Sequence, residues 1–151
     1  MIYDRTQEDI HNARILIEEK VKKFVSLNDD EINLLEKACI TVNTLNRIED
    51  KIAESKDILQ KMGYYSKPFI SKNWDSTKIF TDLDFKRITD NISELVKAFF
   101  VYSDTPDIPE PVYHFTNIND MEKILYDMER KAKEIKSEYL ICGEYISGGA
   151  T

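Results

Sequence analysis

Two histidines, two cysteines and scattered serines and carboxylates are the groups in this 151-residue sequence with catalytic or metal-binding potential. Such chemistry needs several of them at matched spacing. His11 lies in an amphipathic stretch and His114 in a proline-rich one, and neither has a second histidine or a cysteine at ligand spacing. Cys39 sits in the apolar run Ala38-Cys39-Ile40, where a thiol acts as a small hydrophobe. Cys142 is far from it, so neither a disulfide framework nor a redox pair is expected. Gly143 and Gly148 match half of a phosphate-binding loop, but Gly149-Ala150-Thr151 lacks its lysine. Ser147 is not in a nucleophile elbow. The acidic run Asp29-Asp30-Glu31 reads as a helix N-terminus, where the dipole favours carboxylates. No catalytic residue, metal or cofactor is expected, and the chain reads as non-enzymatic.

Binding is the remaining possibility, and aromatic residues carry it. Tyr64 to Phe80 is a polar, aromatic-rich connection holding the only tryptophan, Trp74. Its Tyr64, Tyr65 and Trp74 are candidates for stacking on a cell-wall sugar or anchoring a protein. Phe69 and Phe80 are expected to fold back onto the core. A second candidate surface holds Tyr139, Ile141 and Tyr145, in a segment whose apolar, β-prone residues run into glycines. Residues 139–151 therefore read as a short β strand or hairpin, an arm on a helical domain spanning 1–138.

The elements that position these residues follow from periodicity and caps. Thr6 with Asp9 opens a first helix, whose stripe Ile10, Ala13, Ile17, Val21 and Phe24 extends it to about Leu27. Asn28 with Glu31 caps a second, and the chain then continues or kinks near Thr41–Thr44. A long helix follows with Leu45, Ile48, Ile52, Leu59 and Met62 inward, and Gly63 stops it. Another begins near Thr81 with Phe85, Ile88, Ile92, Leu95 and Phe99 on one face. The last begins near Asn117, with Asp120 three residues on and Met121, Ile124, Met128 and Ile135 inward. Between these two, Pro106, Pro109 and Pro111 impose a stiff extended path over 101–116.

The helices resemble one another. Leu45-Asn46-Arg47-Ile48-Glu49-Asp50-Lys51-Ile52 aligns with Phe85-Lys86-Arg87-Ile88-Thr89-Asp90-Asn91-Ile92, and more loosely with Met121-Glu122-Lys123-Ile124-Leu125-Tyr126-Asp127-Met128. Each unit has a base before the isoleucine and a threonine upstream, at Thr41, Thr81 and Thr116, with a period of about 40 residues. Equivalent helices can pack their isoleucine faces into one core and leave the bases at its rim, to pair with Glu49 or Asp90 or with a partner. The fold class expected is all-α: a compact bundle of four to five helices from a repeated unit, with long connections and the short β arm.

The net charge of −7 argues against a nucleic-acid partner, since lysines such as Lys20, Lys22 and Lys23 are interleaved with more numerous carboxylates. No stretch approaches the roughly 20 apolar residues of a membrane span, so no membrane partner is expected. No signal peptide is read at Met1-Ile2-Tyr3-Asp4-Arg5.

Several short segments, taken in order, resemble a helical domain of tail and baseplate proteins from phages and prophages of Gram-positive bacteria. They are Tyr3-Asp4-Arg5-Thr6-Gln7 with Asp9 and Asn12-Ala13, Leu45-Asn46-Arg47-Ile48-Glu49, Gly63-Tyr64, Lys72-Asn73-Trp74, Asp84 to Ile92, Thr105-Pro106 to Pro109, Asn119-Asp120-Met121-Glu122-Lys123-Ile124-Leu125 and Cys142-Gly143-Glu144. The resemblance implies a structural connector that docks onto other tail or baseplate proteins, forms homo-oligomers within an assembly, and resides in the virion after assembly in the host cytoplasm.

Overall fold

The computed structural model describes residues 2–64, 69–112 and 114–147, with residues 138–147 described by their backbone. Five α-helices follow one another: α1 (Gln7–Glu19), α2 (Asp29–Ala38), α3 (Val42–Lys61), α4 (Asp82–Ala98) and α5 (Phe115–Ser147). A 3-10 turn, Val21–Lys23, follows α1. The all-α expectation holds, and no strand occurs among the described residues.

Local chemistry sets the helix starts. Thr6–Asp9, Asn28–Glu31 and Thr81–Asp84 form capping boxes in which side chain and backbone satisfy one another reciprocally. Thr41 caps α3 by accepting from the Thr44 N–H, so the break between α2 and α3 is a new helix start. The end of α3 is a Schellman turn: Tyr64 N–H reaches Leu59 O, Gly63 N–H reaches Gln60 O, and Gly63 takes φ 85°.

The three repeat-bearing helices make the core. The first apolar positions of the units (Leu45, Phe85, Met121), the isoleucines (Ile48, Ile88, Ile124) and the residues four further on (Ile52, Ile92, Met128) are all buried. Helix α3 packs on α4 and α5, and α4 on α5. Ile118, Leu125 and Ala132 widen the α5 face beyond the residues the spacing picked out. No residue of α1 or α2 belongs to this core. Those two helices pack mainly on each other, burying only Ala13 and Leu16. The bundle is thus three helices with a hairpin attached.

Three expectations are corrected. The first helix stops at Glu19 and gives way to the 3-10 turn, which Phe24 closes in a left-handed conformation (φ 56°), so that Val21 and Phe24 are exposed. The last helix starts at Phe115, two residues early, and Asn117 does not cap it. Its amide donates instead to the Glu110 and Val112 carbonyls, closing the proline strap. The β arm expected over 139–151 is helical as far as Ser147, and the 138/139 boundary falls inside α5. β preference reflects packing in a sheet more than the backbone itself. A helix already nucleated extends one bond per residue and overrides it. Residues 148–151 lie outside the described residues.

Helical asparagines hold the straps. Asn46 accepts from Trp74 N–H at 2.7 Å and donates to Trp74 O at 3.0 Å, copying one rung of a β-ladder. Asn119 does the same for Arg5, accepting at 3.3 Å and donating at 3.0 Å. Asn91 donates to Ile70 O. Extended backbone is thereby satisfied without a second strand.

The cap of α4 also ties down the Trp74 strap. Burial pushes the Asp84 carboxyl upward, but Lys72 and the Thr81 hydroxyl and N–H outweigh it and hold the group below its ordinary value. A depressed carboxylate stabilises fully above its unfolded pKa of about 3.9 and loses that contribution as pH falls through the folded value. Asp84→Asn should therefore cost about 1 kcal/mol at pH 7 and nothing once the native carboxyl is protonated. Urea unfolding along a descending pH series checks this: the deficit should shrink below about pH 3.9, and a deficit that stays constant to the acid limit would contradict it.

Candidate functional site

The aromatic candidates divide by burial. Trp74 is 3% exposed, its Nε1–H donates to Glu49 Oε1 at 3.2 Å, and its ring meets Phe80 edge-on at 5.3 Å. It shows no face to solvent on which a sugar could stack. Phe69 and Phe80 pack against the core as expected. Tyr64 is half-buried, edge-on to Phe99 at 5.0 Å. Tyr65, and the side chains of Tyr139, Ile141 and Tyr145, lie outside the described residues.

The repeated bases have structural partners. Arg87 pairs with Glu49, joining α4 to α3 and to the Trp74 indole. Arg47 pairs with Glu122 at 2.7 Å, joining α3 to α5. Lys123 pairs with Asp127 one turn on, and Asp127 also accepts from Thr105 at 2.8 Å. Arg5 reaches Glu122 at 2.6 Å, across 117 residues. Around it Tyr3 packs on Tyr126 at 5.2 Å, Asp4 pairs with Lys37, and Thr6 caps α1. The Tyr-Asp-Arg-Thr segment and the Asn119–Leu125 segment thus meet in space. Lys72-Asn73-Trp74 meets the segments around Asn46 and Asp84 in the same way. These motif residues build the fold.

Chemistry must then come from the surface. His11 and His114 are exposed and far apart in sequence, and no three His, Cys, Asp or Glu side chains converge as a metal site among the described residues. No helix among those residues is long and apolar enough to cross a membrane.

One feature of the surface runs against local energetics. Val25 N–H bonds to Lys20 O and Phe24 N–H to Val21 O, the same Schellman pairing that ends α3. Where Gly63 fills the left-handed position there, Phe24 fills it here. A side chain in that conformation costs about 1–2 kcal/mol, and Phe24 recovers none of it by burial, being 97% exposed. Val21 and Val25 beside it are also exposed. Lys20 and Lys22 are paired with Glu31 and Glu18, and Lys23 directly precedes Phe24 in the turn. A strained, solvated aromatic flanked by valines has the makings of an interface anchor. Sequence reasoning placed Phe24 in a core stripe and missed it; the signal was its position, right after the Lys22-Lys23 end of the helical pattern, where glycine is usual.

Phe24→Gly should raise stability by about 1 kcal/mol, read as a higher urea midpoint at unchanged m-value. A loss of stability would mean that the ring packs on the hairpin.

Comparison with family models, with curated proteins and with solved structures gives no match.

Proposed function

We propose that this protein is a non-enzymatic structural component of a phage tail or phage-tail-like particle, a connector that docks onto neighbouring tail or baseplate proteins. The observation that carries the docking role is Phe24, a bulky residue in a left-handed turn and 97% exposed. A free-standing domain gains nothing from that arrangement, whereas a partner that buries the ring recovers its hydrophobic free energy. The assignment to a phage particle rests on the ordered motif resemblance. Its residues in the described regions sit in the pins and caps that shape the fold, as expected of a shared scaffold. An α-helical hairpin held to the bundle by the Arg5 pin presents the anchor away from the core.

Mass spectrometry of purified particles should find the protein at fixed stoichiometry. Phe24→Gly should leave the free protein folded and reduce its incorporation. Absence of the unaltered protein from intact particles would rule the reading out.

A further inference from the structure

Arg5 and Arg47 share a single carboxylate. Arg5 Nη1 and Arg47 Nε donate to opposite oxygens of Glu122, which is fully buried. The Nη2 groups of both arginines are buried and lack an acceptor. Asn119 Oδ1 takes a hydrogen bond from Arg5 but brings no charge. Two guanidiniums against one carboxylate leave a net positive charge; Arg47 is a quarter exposed and can meet solvent, whereas the Arg5 side chain is shut away from it. Such a deficit is costly away from water unless an anion approaches.

Arg5, itself 5% exposed, also forms part of the wall of a cleft of about 350 Å³ between α1, the end of α2 and the start of α5. Arg14 and His114 line it too, and no carboxylate does. Arg14 is engaged by no ion pair or hydrogen bond among the described residues. Helix α5 begins at this cleft with no acidic residue in its first turn, so its positive dipole end faces no carboxylate of its own. In a chain of net charge −7, a cleft with this lining attracts an anion. Ile10, Phe115 and Ile118 supply apolar walls, which suit an anion carried on hydrocarbon better than a free phosphate.

We infer that this cleft binds a carboxylate borne on an apolar segment of a partner polypeptide, with Arg14 and the Arg5 pin facing the anion and the isoleucines holding the aliphatic part. The carrier being a partner protein rests on the docking role above; the carboxylate site itself does not. Its test therefore uses small probes on the full chain, with no particle present.

Amide NMR shifts are followed while 4-methylpentanoate, 4-methylpentanamide or inorganic phosphate is added. The carboxylate should give saturable shifts at Arg14, Phe115 and Ile118. The amide should bind at least about tenfold more weakly, the value of a charge-assisted hydrogen bond, and phosphate should bind more weakly than the carboxylate. Arg14→Met, at an exposed position, should keep the spectrum of the folded protein and weaken the carboxylate by a similar factor. N-acetyl-leucyl-leucine and N-acetyl-leucyl-glutamyl amide then tell a chain end from an acidic side chain, binding by one of them supporting the site. Absence of saturation, equal binding of acid and amide, tighter binding of phosphate, or an unaffected Arg14→Met would each overturn it.

Discussion

Replacing Glu122 by glutamine should destabilise the protein by about 3–5 kcal/mol, among the largest effects of any single substitution here. Glu122 is 0% exposed and is the one carboxylate bonded to both Arg5 and Arg47. Glutamine keeps the volume and one acceptor but removes the charge, leaving the buried Arg5 guanidinium and the partly exposed Arg47 guanidinium facing each other unneutralised. Repulsion between them adds to the lost attraction. In a chain of this length the loss corresponds to a fall in Tm on the order of 10 °C. Urea and thermal unfolding measure it directly. Because the arginines are the reason for the cost, the same substitution in an Arg47→Met background should cost less, by at least about 1 kcal/mol. A Glu122→Gln penalty below about 1 kcal/mol would show that the pair behaves as a solvated surface bridge. The hairpin should feel the change first, since Arg5 joins the start of α1 to α5 through Glu122.

Trp74→Ala should cost about 3–5 kcal/mol. The indole fills the space between α3 and α4 beside Phe80, and its N–H answers a Glu49 oxygen that Arg87 also holds. Truncation removes the packing and leaves Glu49 with one donor fewer. Trp74→Phe keeps most of the volume and drops the N–H, so it should cost only about 1–2 kcal/mol. The gap between the two variants measures how much of the tryptophan is packing. A sugar-stacking tryptophan on an open surface behaves otherwise: its alanine variant changes stability by roughly 0.5 kcal/mol or less and binding by much more. Unfolding midpoints of both variants distinguish the two roles.

Both predictions concern residues that belong to the motif segments, and both effects are architectural. The segments Tyr3–Gln7, Asn46–Glu49, Lys72–Trp74 and Asn119–Glu122 contribute to pins between distant elements. A resemblance in those residues therefore carries information about shape. Candidate function sits at Phe24 and along the Arg14 cleft, whose wall includes the Arg5 pin.

Much of the secondary structure was legible in the sequence because its causes are local. Thr6, Asn28, Thr41 and Thr81 start helices through bonds to residues three positions on. Gly63 ends one because only its φ 85° closes the turn without strain. The buried faces of α3, α4 and α5 follow from three-four spacing, and the repeat marks the helices that share a core. What the sequence did not reveal depends on distance or on competition. That Arg5 meets Glu122 and that Asn46 grips Trp74 are pairings across 117 and 28 residues; a rim pairing with Glu49 was legible, but not that Arg87 makes it while Arg47 turns to Glu122. The β-prone look of 139–147 lost to the helix growing into it, and the apolar stripe through Phe24 lost to a turn that throws the ring into solvent. Local rules decided where helices begin and which face turns inward. Only the packed structure decided which polar groups were buried together, which aromatic was left outside, and where a positive charge was left without an answer.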